Sequence, residues 1–185
     1  MNVYPIEAGN FKLDGGAMFG VVPKSLWTKT NPADADNMIE MSSRCMLVEN
    51  SDKLILVDTG MGDKQSEKFF KHYKRWGSDN LVKSINSAGF SVDDITDVLL
   101  THLHFDHCGG AVVWDSSKEA YDVLFKNANY WSNENHWDWA TSPNPREKAS
   151  FLDENLFPIK ESGQLKFINN ISQSFNYCEE LGLEI

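Results

Sequence analysis

The sequence predicts an α/β domain, and three observations carry that reading. Between residues 43 and 101 a β-rich hairpin, two helical stretches and an apolar strand follow one another, a βαβ rhythm. Hydrophobic residues make up 41% of the 185 positions, enough for a substantial core at a length that suits one domain. No internal repeat, low-complexity tract or linker interrupts the chain, so residues 1–185 are expected to form a single domain.

Taken in order, residues 3–8 read as a first strand. Residues 11–23 mix apolar side chains with glycines and end in Pro23, which suggests strand and loop with close backbone approach. Residues 25–41 are loop-like, a length that is often functional inside a compact domain. Residues 43–49 and 53–57 are two strands of a hairpin turning at Asn50-Ser51-Asp52. Asp58, between that second strand and the Gly60 turn, is expected to bind backbone N–H groups of the turn. Contact with a ligand histidine is compatible with that role.

Residues 65–76 and 80–88 have helical composition, with Gly89 stopping the second, and His72 reads as a solvated residue on the first. Ser91-Val92-Asp93-Asp94 has the form of a helix start. Residues 95–101 form the next strand. Beyond it, residues 121–125 and 129–131 read as short strands, 132–140 as an aromatic-rich stretch, and 146–155 as a helix opened by Asn144-Pro145. Residues 164–168 read as a strand, and 178–185 as the start of another.

Composition excludes several partners. A formal charge of −10 argues against nucleic acid, whose phosphates require clustered Lys and Arg. No apolar run approaches the ~18 residues that span a bilayer, and the N-terminus lacks the pattern of a signal peptide. Cys45, Cys108 and Cys178 are odd in number and widely spaced, which argues against a disulfide framework and suggests a cytoplasmic setting.

Chemistry concentrates in Thr101-His102-Leu103-His104-Phe105-Asp106-His107-Cys108-Gly109-Gly110, where three of the five histidines and an aspartate fall within six positions. At a strand end His102 and His104 project to one side. A turn then folds Asp106 and His107 back toward them, eased by the two glycines. Imidazole and carboxylate suit zinc and similar divalent metals. Cys108 reads as a small buried residue under this loop. His136 with Trp137 and Trp139 reads either as the lining of a substrate mouth or as core packing.

With Leu54-Ile55-Leu56-Val57-Asp58-Thr59-Gly60 upstream, this run resembles the metallo-β-lactamase superfamily of metallohydrolases. Leu13-Asp14-Gly15-Gly16-Ala17-Met18-Phe19-Gly20 and His136-Trp137-Asp138-Trp139-Ala140 resemble its lactonase- and esterase-like branch. The resemblance implies an αββα sandwich with the metal site at one edge of its sheets. It implies His102 and His104 on one metal, Asp106 and His107 on a second, with Asp106 also serving catalysis. Two divalent ions would be the cofactors, Zn2+ first, with Mn2+ or Fe2+ as alternatives.

The resemblance implies hydrolysis of a small ester or lactone by metal-bound hydroxide, since a bound metal lowers the pKa of water from about 15.7 to about 7. Cleavage of a phosphodiester or thioester is the alternative within the superfamily. The family draws a further histidine, a bridging aspartate and a last histidine from its C-terminal half, and no histidine follows His136. The chain is therefore expected to be the N-terminal portion of the family pattern. That leaves open a homo-oligomer, a complementing chain, or a non-catalytic metal-binding module.

Overall fold

A computed structural model of the chain describes residues 1–168, 177–178 and 181–184. Strand β1 (Asn2–Asp14) pairs with β2 (Met38–Asn50) in antiparallel register from Asn2↔Glu49 to Asp14↔Met38. The register slips between Glu7 and Asn10, where Gly9 has φ 126°. Between these strands lie two short helices, α1 (Gly15–Phe19) and α2 (Lys24–Trp27), where the sequence suggested strand and loop. The helix forms because the Asp14 carboxylate accepts the Ala17 N–H at 2.8 Å. Its close approach to α2 follows from Gly15, which leaves room for the Trp27 ring.

After β3 (Lys53–Val57) come α3 (Glu67–Lys71) and α4 (Leu81–Ser87), then β4 (Asp97–Leu99). The helix expected over 65–76 ends at Lys71. Its tail pairs with β1 instead, the Lys12 N–H donating to Tyr73 O and the Trp76 N–H to Asn10 O. Asn80 caps α4 by accepting the Lys83 N–H. Ser91 and Asp94 close a reciprocal capping box on a single 3-10 turn.

The chain continues through α5 (Phe105–Cys108) and the ribbon of β5 (Val112–Trp114) with β6 (Tyr121–Val123) to β7 (Asn129–Ser132). Then follow α6 (Glu134–Thr141), α7 (Asp153–Glu161), β8 (Leu165–Phe167), and a small hairpin of β9 (Tyr177–Cys178) with β10 (Leu183–Glu184). The helix expected over 146–155 is displaced. Asn144 holds a turn by accepting the Arg146 and Glu147 N–H groups, and the helix starts at Asp153. Asp153 and Glu154 favour its N-terminus, while Leu156 and Ile159 bury one face. Pro158, within it, removes one backbone donor and makes the segment hard to read as helix. Of the strand suggested over 178–185, residues 179, 180 and 185 lie outside those described.

Among the described residues one six-stranded sheet runs in the order β1-β2-β3-β4-β7-β8. β1, β2 and β3 are antiparallel, whereas β3, β4, β7 and β8 are parallel neighbours. Alternation splits the sheet into two apolar faces. Leu47, Leu56, Val98 and Tyr130 pack with Ile85 of α4 and with Leu156 and Ile159 of α7. Val48, Ile55 and Trp131 face the other way and pack with Leu181. The expected α/β class and central sheet are both present. Besides the six-stranded sheet, the described residues form two two-stranded sheets, β5 with β6 and β9 with β10.

All four parallel strands end at the same edge, where open α/β sheets gather their functional groups. At the opposite end Asp97, 1% exposed, accepts from Lys53 Nζ at 3.1 Å, Trp131 Nε1 at 2.7 Å and Thr96 Oγ1 at 2.8 Å. Asp97→Ala is expected to destabilise the fold by about 2 kcal/mol, because a buried indole N–H and an ammonium lose their acceptor. Denaturant unfolding with an unchanged slope would measure it.

Candidate metal centre

Three adjacent parallel strands supply the candidate site. Asp58 follows β3, the His102–His104 turn follows β4, and α6 with His136 follows β7. Asp58 has φ 60°, a left-handed conformation uncommon outside glycine but tolerated by aspartate. It turns the carboxylate toward the next strand. There Oδ1 accepts the Thr101 N–H at 2.9 Å, Thr101 Oγ1 donates to Oδ2 at 2.8 Å, and Oδ2 stands 2.8 Å from His107 Nδ1. The sequence suggested a turn-capping role with ligand contact as an extra. In the structure the contact with His107 is direct, and the bound backbone N–H belongs to the histidine loop.

The four sequence-predicted residues share one neighbourhood. The His102 ring centre lies 4.7 Å from that of His104 and 3.9 Å from that of His107. Asp106 Oδ2 is 3.7 Å from His107 Nε2. His72, the C-cap of α3, is exposed. Trp137 belongs to the core, and Trp139, 48% exposed, donates its indole N–H to Glu147. His136 also faces inward, accepting the Leu103 N–H at 3.0 Å. Phe151, which no sequence signal marked, packs against His104 with ring centres 4.8 Å apart.

Electrostatics sort the rings. Burial, with His107 and His104 adding to it, pulls His102 down to about 4, so this imidazole is neutral and offers a lone pair at neutral pH. Burial opposes charge on His107 as well, but its hydrogen bond to Asp58 and the charges of Asp106 and Asp58 outweigh it and raise its pKa. With Asp58 against Nδ1, the proton of neutral His107 sits on that atom and the lone pair is on Nε2.

The loop is held from below by backbone contacts. The Thr59 N–H and hydroxyl both donate to His107 O, at 2.7 and 2.9 Å, and the Gly110 N–H donates to Gly60 O at 2.9 Å. Lys64, 5% exposed, donates from Nζ to Gly109 O at 2.6 Å; burial lowers its pKa to about 8. Cys108 is fully buried and donates from Sγ to Leu103 O. Its thiol is pushed up to about 12, chiefly by burial, so it packs beneath the loop.

Neutral imidazole, a carboxylate and a histidine oriented through its second nitrogen form a donor set chemically suited to a divalent ion. The set is not closed. Among the described residues no three His, Cys, Asp or Glu groups meet at metal-holding spacing. A cavity of about 130 Å³ borders Asp58, Asp106 and His107 and is walled by Phe11 and Met41. A larger one of about 360 Å³ shares Phe11 and Ser43 with it but touches none of the four candidate ligands.

Comparison with known proteins follows the same outline. Residues 39–168 match the family model described as the metallo-beta-lactamase superfamily. The chain is similar to an N-acyl homoserine lactonase of Bacillus cereus, 31% identical over 104 residues that cover 51% of this chain and 40% of the relative. A probable metal-dependent hydrolase from Staphylococcus aureus superposes with TM-score 0.81 at 30% identity, over 91% of this chain and 58% of the other. A dizinc quorum-quenching lactonase in complex with a product superposes with TM-score 0.68 at 26% identity, over 98% and 65%. The chain thus covers less than two-thirds of the length of each.

Proposed function

Because this chain belongs to the metallo-β-lactamase superfamily, we propose that it serves a metal-dependent hydrolase acting on a small ester or lactone. One observation carries the proposal. His102, His104 and His107 cluster at the shared edge of the parallel strands, with Asp58 fixing the proton of His107. The lactonase relatives favour an ester-type carbonyl as the target. The small cavity against Asp106, with Phe11 and Met41 as apolar walls, suits a small substrate.

His102 and His104 would hold one divalent ion, and Asp106 and His107 a second, zinc being the first choice. Bound there, such ions supply Lewis acidity and acidify water at neutral pH. The chain's own groups do the rest. Asp58 keeps the His107 Nδ1 proton in place, so that Nε2 presents its lone pair. Asp106, which borders the cavity, would accept the proton of the attacking water. Phe11 and Met41 restrict bulk water beside it. In this reading residues 1–185 form one domain portion, and the protein is cytoplasmic. Cys45 and Cys108 are free thiols, and no described helix is long and apolar enough to cross a membrane.

The test is a Zn2+ or Co2+ titration joined to a substrate panel of lactones, aryl esters, thioesters and phosphodiesters. His104→Ala and Asp106→Ala are expected to lower metal affinity by about 10–100-fold and to abolish lactone turnover. Unchanged turnover in both variants would sink the proposal. The pH dependence has a definite sign. His107 holds its proton above the usual imidazole range, so a metal must displace it, and affinity should fall as pH drops through that pKa. A second reading, a non-catalytic metal-binding module, is favoured by the unclosed donor set. Metal binding without turnover across the whole panel would support it.

A further inference from the structure

His136 takes no part in the proposed hydrolysis, yet it binds the backbone on which that chemistry depends. β4 loses its ladder as it leaves the sheet. The Leu100 N–H still donates to Trp131 O at 3.0 Å. Beyond it, side chains take over at alternate residues, Asp58 accepting the Thr101 N–H at 2.9 Å and His136 Nε2 the Leu103 N–H at 3.0 Å. The two amides bound in this way flank His102, and the second lies between His102 and His104.

His136 is itself held on several sides. It sits in the first turn of α6, where Asn133 Oδ1 accepts its own N–H at 3.1 Å. The next residue, Trp137, is anchored in the core at 4% exposure. Phe151 packs against both imidazoles, with ring centres 5.9 Å from His136 and 4.8 Å from His104. The Leu103 side chain is fully buried, so its amide has little access to water, and an unmet donor there would be costly.

We infer that His136 is a positioning residue. By accepting the Leu103 N–H it fixes the backbone between His102 and His104, and with it the spacing of those two rings. Acceptance at Nε2 requires the neutral tautomer protonated at Nδ1. The inference rests on the reading of His102 and His104 as metal ligands, which the experiment tests separately.

The full chain is compared with His136→Gln, whose side-chain oxygen can take the place of Nε2, and with His136→Leu, which keeps bulk without an acceptor. Three quantities are measured: the imidazole tautomer by long-range ¹H–¹⁵N correlation, amide exchange at Leu103, and Co2+ affinity with its visible spectrum. The expected wild-type result is a neutral His136 protonated at Nδ1, with a slowly exchanging Leu103 amide. His136→Leu should speed exchange around residues 101–104 and weaken Co2+ binding about 10–100-fold; His136→Gln should restore both.

Protonation at Nε2 in the wild type would overturn the inference. So would wild-type Co2+ affinity and spectrum in His136→Leu, or a failure of glutamine to restore them. If His136→Leu does not fold, the wild-type tautomer and the glutamine variant decide. If the wild type takes up no Co2+, the proposed function fails, while the clamp still stands or falls on the tautomer and on Leu103 exchange.

Discussion

Gly110→Ala is expected to be among the most destabilising single-methyl additions in this protein, at about 3 kcal/mol. A methyl at that position would fall inside the contact radius of the Thr59 carbonyl oxygen, and it would lie 3.1 Å from the carbonyl carbon. Neither atom can yield cheaply. Thr59 is tied to His107 O by both its N–H and its hydroxyl, and Gly110 to Gly60 O. Gly109 is in the same position against the Met61 backbone, and Gly62 would bring a methyl to 2.7 Å from Gly109 O. Relief would have to pull the strand end carrying Asp58 away from the segment carrying His107. A melting-temperature loss of roughly 6–12 °C is the observable at this chain length. A variant that melts like wild type would show that the two backbones are less tightly apposed than described.

Asp58→Asn should separate folding from metal binding. Asparagine tolerates the left-handed φ of 60° and can still accept from Thr101, so stability should change by only about 1–2 kcal/mol. Its amide N–H group, however, would face His107 Nδ1, where the carboxylate oxygen now stands at 2.8 Å. The favoured imidazole tautomer then reverses and the proton moves to Nε2, the nitrogen 3.7 Å from Asp106. Metal affinity should fall about 10–100-fold. Asp58→Ala should lose both properties, costing about 3 kcal/mol through the unmet Thr101 amide and the strained backbone. Metal titrations and unfolding curves on the two variants would separate these effects. Undiminished affinity in Asp58→Asn would show that the carboxylate does not set the state of His107.

Much of this was legible in the chain, and the reasons differ by element. The hairpin of β2 and β3 is legible through β-rich runs around a polar turn, and α4 through helical composition over 80–88 and the stop at Gly89. The histidine cluster was visible because its members are adjacent in sequence. Features that depend on distant partners were not. β1 extends as far as Asp14 only because β2 begins at Met38, earlier than its composition suggested. The α3 segment stops at Lys71 because residues 73 and 76 find hydrogen-bond partners on β1. The helix expected at 146–155 lies instead at Asp153–Glu161, because its stabilisation comes from burying Leu156 and Ile159 against the sheet, which the composition around Asn144-Pro145 does not reveal. His136 stands out in the sequence for its aromatic company, but its contact with Leu103 crosses 33 residues and leaves no local pattern.

The same long separations bear on how the molecule acquires its site. The bonds from Asp58 to Thr101 and from Thr59 to His107 close loops of 43 and 48 residues, and β3 and β4 meet as parallel strands. Loop closure of that kind is entropically expensive before it is rewarded, and parallel pairing is slow. The four donors are neighbours in sequence, but the bonds from Asp58 and Thr59 that orient them require β3 and β4 to meet.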